Sequence, residues 1–247
     1  MSNSKLISYT KLSPNCNKPR NHKIDKITIH HMAGNGTIEA CGEIFANPKR
    51  QASSNYGIGS DGRIGLYVDE ANRPWTSSNA DNDHRAITIE VANDGGAPNW
   101  HVSDKALEAT IALCTDICQR NRIKALNFTG DKNGNLTMHK WFAATLCPGP
   151  YLESKFPYIA QEVNRRLNAS AVIYRVQTGA YKVRANADAQ LAKVKAAGFD
   201  AYVVQVDGLY KVQIGAYSVK DNANAQLKRV TAAGFSAFIT TKGGDKS

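Results

Sequence analysis

Cysteine is scarce and poorly suited to a covalent framework. The 247 residues hold five, Cys16, Cys41, Cys114, Cys118 and Cys147, an odd number with no C-x-x-C pair, so a disulfide scaffold is not expected. An H-E-x-x-H string is also missing, and any metal site must draw its ligands from distant parts of the chain. No apolar run approaches the roughly 18 to 20 residues that span a membrane, so no membrane partner is expected. The first residues, Met1-Ser2-Asn3-Ser4-Lys5-Leu6-Ile7-Ser8-Tyr9, lack the apolar stretch of a secretory signal. Synthesis in the cytoplasm without a signal peptide is the expectation.

Negative charge is in deficit. Lys and Arg number 31 against 21 Asp and Glu, a net charge of +10, which draws a chain toward anionic polymers. The basic residues are interspersed with acidic ones and form no dense stripe or recognisable nucleic-acid motif, so nucleic acid is not the expected partner. With 42% hydrophobic and 21% charged residues the chain is an ordinary globular one, long enough for two domains.

The order of elements reads as follows. Residues 1–25 are polar, with Pro14 and Pro19, and suggest an irregular arm. Lys26 to His31 is a short β-branched strand that carries His30 out at its end. Thr37 caps a helix to about Ala46, with Ile38, Cys41, Ile44 and Phe45 inward, and Pro48 stops it. Ser60-Asp61-Gly62 turns a hairpin into Arg63 to Val68.

Trp75 to Arg85 is read as a polar loop. Ala86 to Ala92 alternates as a strand, with Glu90 its one charged residue. Ser103 starts a helix to about Arg122 with Leu107, Ile111, Cys114 and Ile117 on one stripe, so Cys114 and Cys118 read as core packing. A last helix, Leu152 to Leu167, is interrupted or restarted at Pro157. Strands mixed with helices predict an α/β domain over 1–167, a mixed central sheet flanked by helices.

After a linker at 168–171, the stretch 172–247 repeats itself. Tyr174-Arg-Val-Gln-Thr-Gly-Ala-Tyr181 recurs as Tyr210-Lys-Val-Gln-Ile-Gly-Ala-Tyr217, and Ala196-Ala197-Gly198-Phe199 as Ala232-Ala233-Gly234-Phe235, an offset of about 36 residues. Each unit reads strand, helix, strand, with a thin apolar face (Ala189, Leu191, Val194 and Ala197; Ala225, Leu227, Val230 and Ala233) that one unit cannot bury alone. Two units closing on each other predict a smaller α+β, ferredoxin-like domain. This tail resembles the sporulation-related repeat domain, which implies binding to the glycan strands of bacterial wall. Its excess of about six positive charges fits such an anionic partner.

Two distant segments hold the chemistry: Ile27-Thr28-Ile29-His30-His31 and Met138-His139 through Thr145-Leu146-Cys147-Pro148-Gly149. His30, His139 and Cys147 offer two imidazoles and a thiolate, the number of protein ligands a catalytic zinc uses while leaving a fourth position for water. Each alone has a plainer reading, as a hydrogen-bonded core histidine or a buried thiol. Glu90 is a candidate general base if it faces inward and partly dry, or else a solvated glutamate on a strand.

Together the His-His strand, the later His and the Thr-x-Cys-Pro-Gly string resemble the zinc N-acetylmuramoyl-L-alanine amidases, a family that includes phage endolysins and animal peptidoglycan recognition proteins. The resemblance covers about residues 20–168. It implies zinc on His30 (in preference to His31), His139 and Cys147, with catalytic roles for Glu90, for Tyr56 beside the zinc water, and for Thr145 as a donor to the oxyanion. The implied activity is hydrolysis of the amide between N-acetylmuramic acid and L-alanine in peptidoglycan, reached after release by phage or mother-cell lysis. The alternative is a recognition protein of the same fold that binds muropeptide without cutting it. His31 is read as a neighbour or substrate contact, His84 as a substrate-facing loop residue and His101 as a surface residue.

Overall fold

The computed structural model describes residues 2–170, 173–218 and 220–241. The chain divides into two compact units, Met1–Leu167 and Asn168–Ser247.

The first unit contains β1 (Tyr9–Thr10), β2 (Cys16–Asn17), β3 (Lys26–His31), α1 (Ile38–Ala46), β4 (Tyr56–Ile58), β5 (Ile64–Leu66), β6 (Arg73–Pro74), α2 (Ala80–Arg85), β7 (Ala86–Val91), α3 (Asp104–Arg120) and β8 (Leu136–Met138), and ends in α4 (Pro150–Ser170). Six strands form one sheet in the order β1-β5-β4-β7-β3-β8. β3 lies between β7 and β8, parallel to both, and β4 runs parallel to β7 but antiparallel to β5. The fold is thus the mixed α/β sheet expected.

Period-two alternation sorts the side chains. Ile27, Ile29, Ile87, Ile89, Leu136 and Met138 enter the main core with Leu107, Ile111, Cys114 and Ile117 of α3 and Phe156, Ile159 and Val163 of α4. Cys114 and Cys118 are buried free thiols, so they pack as expected. On the other side of the sheet, Cys41 and Phe45 of α1 pack against Tyr67. Thr37 caps α1, its hydroxyl accepting from the Ala40 amide at 3.1 Å.

Four local expectations change. Ile44 of α1, expected inward with Ile38, Cys41 and Phe45, is 53% exposed. The Trp75–Arg85 stretch contains α2, capped by Asn79, whose side chain accepts from the Asn82 amide; one alanine followed by five polar residues shows no apolar period, so only the cap marks it. The arm at 1–25 is pinned rather than laid on. The Arg20 side chain is buried and donates to the carbonyls of Glu70, Asn72, Asp83, His84 and Ala86. Finally α4 is continuous through Pro157 and runs to Ser170, so Asn168, Ala169 and Ser170 of the expected linker are helical; Ala171 lies outside the described residues, as do Val172 and 242–247 of the expected tail.

The second unit holds β9 (Tyr174–Tyr181), α5 (Arg184–Ala196), β10 (Tyr202–Val206), β11 (Leu209–Tyr217), α6 (Lys220–Ala232) and β12 (Phe238–Thr240). Its sheet order is β10-β11-β9-β12, antiparallel throughout, the ferredoxin-like arrangement of two strand-helix-strand repeats. Val194 of α5 and Val230 of α6 meet Val176 and Ile214 in one core. Each repeat buries Leu191 and Val194, or Leu227 and Val230, against the shared core, but the face is turned from the one expected: Ala223 joins that core and Ala187 is buried, while Ala189, Ala197, Ala225 and Ala233 are exposed. Among the described residues no helix is long and apolar enough to cross a membrane.

Candidate metal centre and its cleft

The face of the sheet opposite the main core is polar. Thr28, Thr88 and Thr137 project there, fully buried, and satisfy one another: the Thr28 and Thr137 hydroxyls lie 2.9 Å apart, Asn82 Nδ2 donates to Thr28 at 2.9 Å, and Thr88 bonds to Thr76 and Ser54. A buried network of this kind is stiff only when fully paired. Two residues beyond each threonine come His30, Glu90 and His139, on the same side of the sheet by alternation.

Cys147 reaches this group through a loop that closes on itself. The Lys140 amide donates to the Cys147 carbonyl at 3.1 Å, which holds the residue after His139 beside Cys147. The Cys147 amide donates to Thr145 Oγ1 at 3.2 Å, and the His31 amide donates to Cys147 Sγ at 3.4 Å. Gly149 follows at φ 82°, where an added Cβ would sit 3.0 Å from Cβ of Trp100 and 3.3 Å from the His31 ring. Only glycine fits that turn.

The ligand atoms of His30, His139 and Cys147 consequently lie within 4.8 Å of one another. The His30 and His139 rings are 4.6 Å apart, centroid to centroid. His30 Nε2 and His139 Nε2 are buried without a hydrogen-bond partner, and a lone pair left so costs about 1–3 kcal/mol. Burial, joined by His139 and His31, holds His30 well below the usual imidazole range, and burial lowers His139 too. Both rings are therefore neutral, the form that ligates a metal. Burial and the nearby Glu90 push the Cys147 thiol up, opposed by the His31 amide, so a thiolate there needs a cation. Two unprotonated nitrogens and one sulfur fit a zinc ion with one position left open.

A cleft of about 540 Å³ adjoins this group and is lined by Glu90, His31, His139, Thr145 and Cys147 together with residues of α1 and the Trp75 loop. Burial drives the Glu90 carboxyl up to about 8, with Arg50 pulling the other way. His31 Nδ1 is buried and unpartnered, and its ring meets Trp100 edge-on at 5.3 Å.

The cluster thus unites five of the six residues expected from the sequence, and leaves out Tyr56. Tyr56 is fully buried on the main-core side of β4, where its hydroxyl donates to Glu70 Oε1 at 2.6 Å and accepts from the Ser4 amide at 2.9 Å. Its partner in register is Ile89, not Glu90. The alternation Tyr56, Gly57, Ile58 was the overlooked signal, since it sends Tyr56 to the same side as Ile58. His84 is also corrected: its Nδ1 accepts from the Asn21 amide at 3.0 Å on α2 and it does not line the cleft. His101 lies at the surface, paired with Asp94 at 2.5 Å. Arg50 also lines the cleft and carries no sequence motif.

Comparison with known proteins follows the same division of the chain. The family described as N-acetylmuramoyl-L-alanine amidase matches residues 20–150, and the SPOR domain matches 170–241. Among solved structures, PlyL is similar in fold at 16% identity and a TM-score of 0.50, covering 63% of this chain and 95% of that one. The N-acetylmuramoyl-L-alanine amidase LysC from Clostridium intestinale is 22% identical over 67% of this chain and 99% of that one, with a TM-score of 0.47. The peptidoglycan binding domain of the B. subtilis cell wall lytic enzyme CwlC is 53% identical over 28% of this chain and 86% of that one, with a TM-score of 0.26. No curated protein matches.

Proposed function

Because the chain belongs to the N-acetylmuramoyl-L-alanine amidase family, we propose that it cuts the amide between the muramic lactyl group and L-alanine in peptidoglycan, with zinc held by His30, His139 and Cys147. The observation that carries this reading is the meeting of two unpartnered buried imidazole nitrogens and one thiol on the wall of a cleft that also holds Glu90. When bound, zinc polarises the scissile carbonyl and brings the pKa of water to roughly 7.

The chain's own residues supply the rest. Glu90, its carboxyl raised toward neutrality by burial, takes the proton of the attacking water and returns one to the departing amine; a base is most effective when its pKa lies near the working pH. Thr145 Oγ1 already accepts from the Cys147 amide, and a hydroxyl that accepts can still donate. Its proton is directed to the carbonyl oxygen as negative charge develops there. The neutral His30 and His139 need lose no proton on binding metal.

The SPOR domain holds the enzyme on wall glycan, and the substrate is reached after release from the cell that made it, as for a phage endolysin. The recognition-only alternative is disfavoured by the complete His-His-Cys set. Digestion of purified wall is the test. New L-alanine amino termini without new reducing sugar ends are expected, and reducing ends alone would sink the proposal.

A further inference from the structure

His31 lines the cleft beside the candidate metal centre but is not one of its three proposed ligands. It ends β3 and pairs in register with Val91, the last residue of β7, so it stands at the carboxyl ends of two parallel strands, where open α/β sheets collect their ligands. Its backbone amide donates to Cys147 Sγ at 3.4 Å. One peptide bond thus ties His31 to His30, and one hydrogen bond ties it to Cys147.

The two edges of the ring differ. Nδ1 and Cε1 face inward, each 3.3 Å from where a Cβ on Gly149 would sit, and Nδ1 is buried without a hydrogen bond. Asn93, just past the end of β7, is the side chain placed to bond the ring, and its Oδ1 is buried and unpartnered as well. Asn93 is held in place, because its Nδ2 donates to the Trp100 carbonyl at 2.8 Å. A hydrogen on Nδ1 answers both orphans at once, since a carboxamide oxygen can only accept. The bond made by one imidazole nitrogen sets the state of the other. Nε2 is thus left as a bare acceptor on the edge that His31 presents to the cleft, with no partner among the described residues. Trp100 fixes this pose, meeting the ring edge-on at 5.3 Å from a backbone at φ 54°. A bulky residue stays in the left-handed region only where its surroundings impose the strain, and such strain collects at functional sites.

An amide entering the site brings one acceptor and one donor. On the amidase reading, on which this inference rests, its carbonyl oxygen is met by the metal and Thr145, while Glu90 is occupied with the water. The N–H is then without a partner, and a buried donor left so costs about 1–3 kcal/mol. Among the other polar groups lining the cleft, Ser53 Oγ is engaged with the Asn15 carbonyl and the Trp75 amide, and Thr76 Oγ1 with the Ser53 carbonyl and Thr88. Ser78 is exposed. We infer that His31 is a further catalytic residue, whose Nε2 accepts the N–H of the scissile amide. That bond stops the nitrogen from turning and, as the carbon becomes tetrahedral, keeps its lone pair toward Glu90, which returns the proton. No proton passes to or from His31.

The test sets an N-acetylmuramoyl-L-alanine peptide against its ester analogue, in which oxygen replaces the scissile N–H, using the full-length zinc-loaded chain. His31→Leu should lower kcat/KM on the amide by roughly 10- to 100-fold, the range for one buried polar group left unpaired, and keep the ester within about threefold of wild type. His31→Gln, whose carboxamide oxygen can accept, should recover part of the loss, and both variants should hold wild-type zinc. An equal loss on amide and ester would overturn the inference, because damage to the metal centre or the fold costs both substrates alike. Should wild type cut neither compound, the amidase reading fails. Calorimetric binding then decides the role of His31 by itself: a wild-type preference for amide over ester that His31→Leu abolishes supports it, and the same ratio in both proteins overturns it.

Discussion

His30 and Glu90 are direct partners across the parallel pair of β3 and β7. A single register therefore sets the proposed metal ligand beside the proposed proton acceptor, and the threonines two residues before each fix the height at which they emerge. A slip of β7 by one residue would turn Glu90 into the main core while His30 stayed in the cleft. Glu90→Gln keeps the shape and hydrogen-bonding capacity but removes the base. Its kcat should fall by roughly 10²- to 10⁴-fold, the usual worth of a general base, with zinc content unchanged. Metal analysis beside wall-digestion kinetics checks this, and a variant within a few-fold of wild type would remove Glu90 from the reaction.

Metal uptake should release protons in a countable way. In the metal-free chain the Cys147 thiol is raised above its ordinary range by burial, Glu90 is raised to about 8, and His30 and His139 are already neutral. At pH 7 zinc binding should therefore expel about two protons from wild type, one from Cys147 and most of one from Glu90, and about one from Glu90→Gln. Protons released mean that affinity rises with pH, by close to tenfold per unit for each proton. Calorimetry in buffers of different ionisation enthalpy gives the count, and equal counts in the two proteins would mean that Glu90 does not feel the metal.

Tyr56→Phe should damage the fold and spare the chemistry. The lost hydroxyl leaves the Glu70 carboxylate, 1% exposed and also held by Arg120 at 2.7 Å, short of one donor, and the Ser4 amide short of its acceptor. A loss of about 1–3 kcal/mol in stability is expected for unsatisfied buried groups. Chemical denaturation measures that loss, and kcat per folded molecule should stay within about twofold. A fall of a hundredfold or more in kcat without loss of stability would restore Tyr56 to the active site.

How much could be read from the sequence follows from which forces act locally. Strand β3, helix α3 and the duplicated tail all announce themselves by apolar period, and the tail's closure follows because neither repeat can bury its face alone. Within the site, Thr28-Ile29-His30, Thr88-Ile89-Glu90 and Thr137-Met138-His139 repeat one pattern, a threonine and a functional residue on one face with an apolar residue between them on the other. That pattern was legible on strand geometry alone. Tyr56 matches the motif but not the site, because the alternation of its own strand sends it with Ile58 into the main core. The place of Arg50 in the cleft leaves no such mark, since a cation after a helix has no period and the cleft is made by α1 and a loop 25 residues further on. The cap of α2 was the only mark left by a helix too short to bury a face.

Removing the metal should separate cutting from holding. The proposed ligands His30, His139 and Cys147 all lie in the first unit, whereas the core of the second is Val176, Val194, Ile214 and Val230. Chelation should abolish release of L-alanine amino termini while leaving the amount of full-length protein that sediments with purified wall nearly unchanged. Restoring zinc should recover the cutting. The same chelated sample should melt earlier, because metal that binds only the folded state contributes stability through its binding energy. The two-part result matters because a protein that only recognises wall would sediment in the same way but show no zinc-dependent release. If chelation abolished sedimentation along with hydrolysis, wall attachment would run through the metal site and the second unit would not be the anchor.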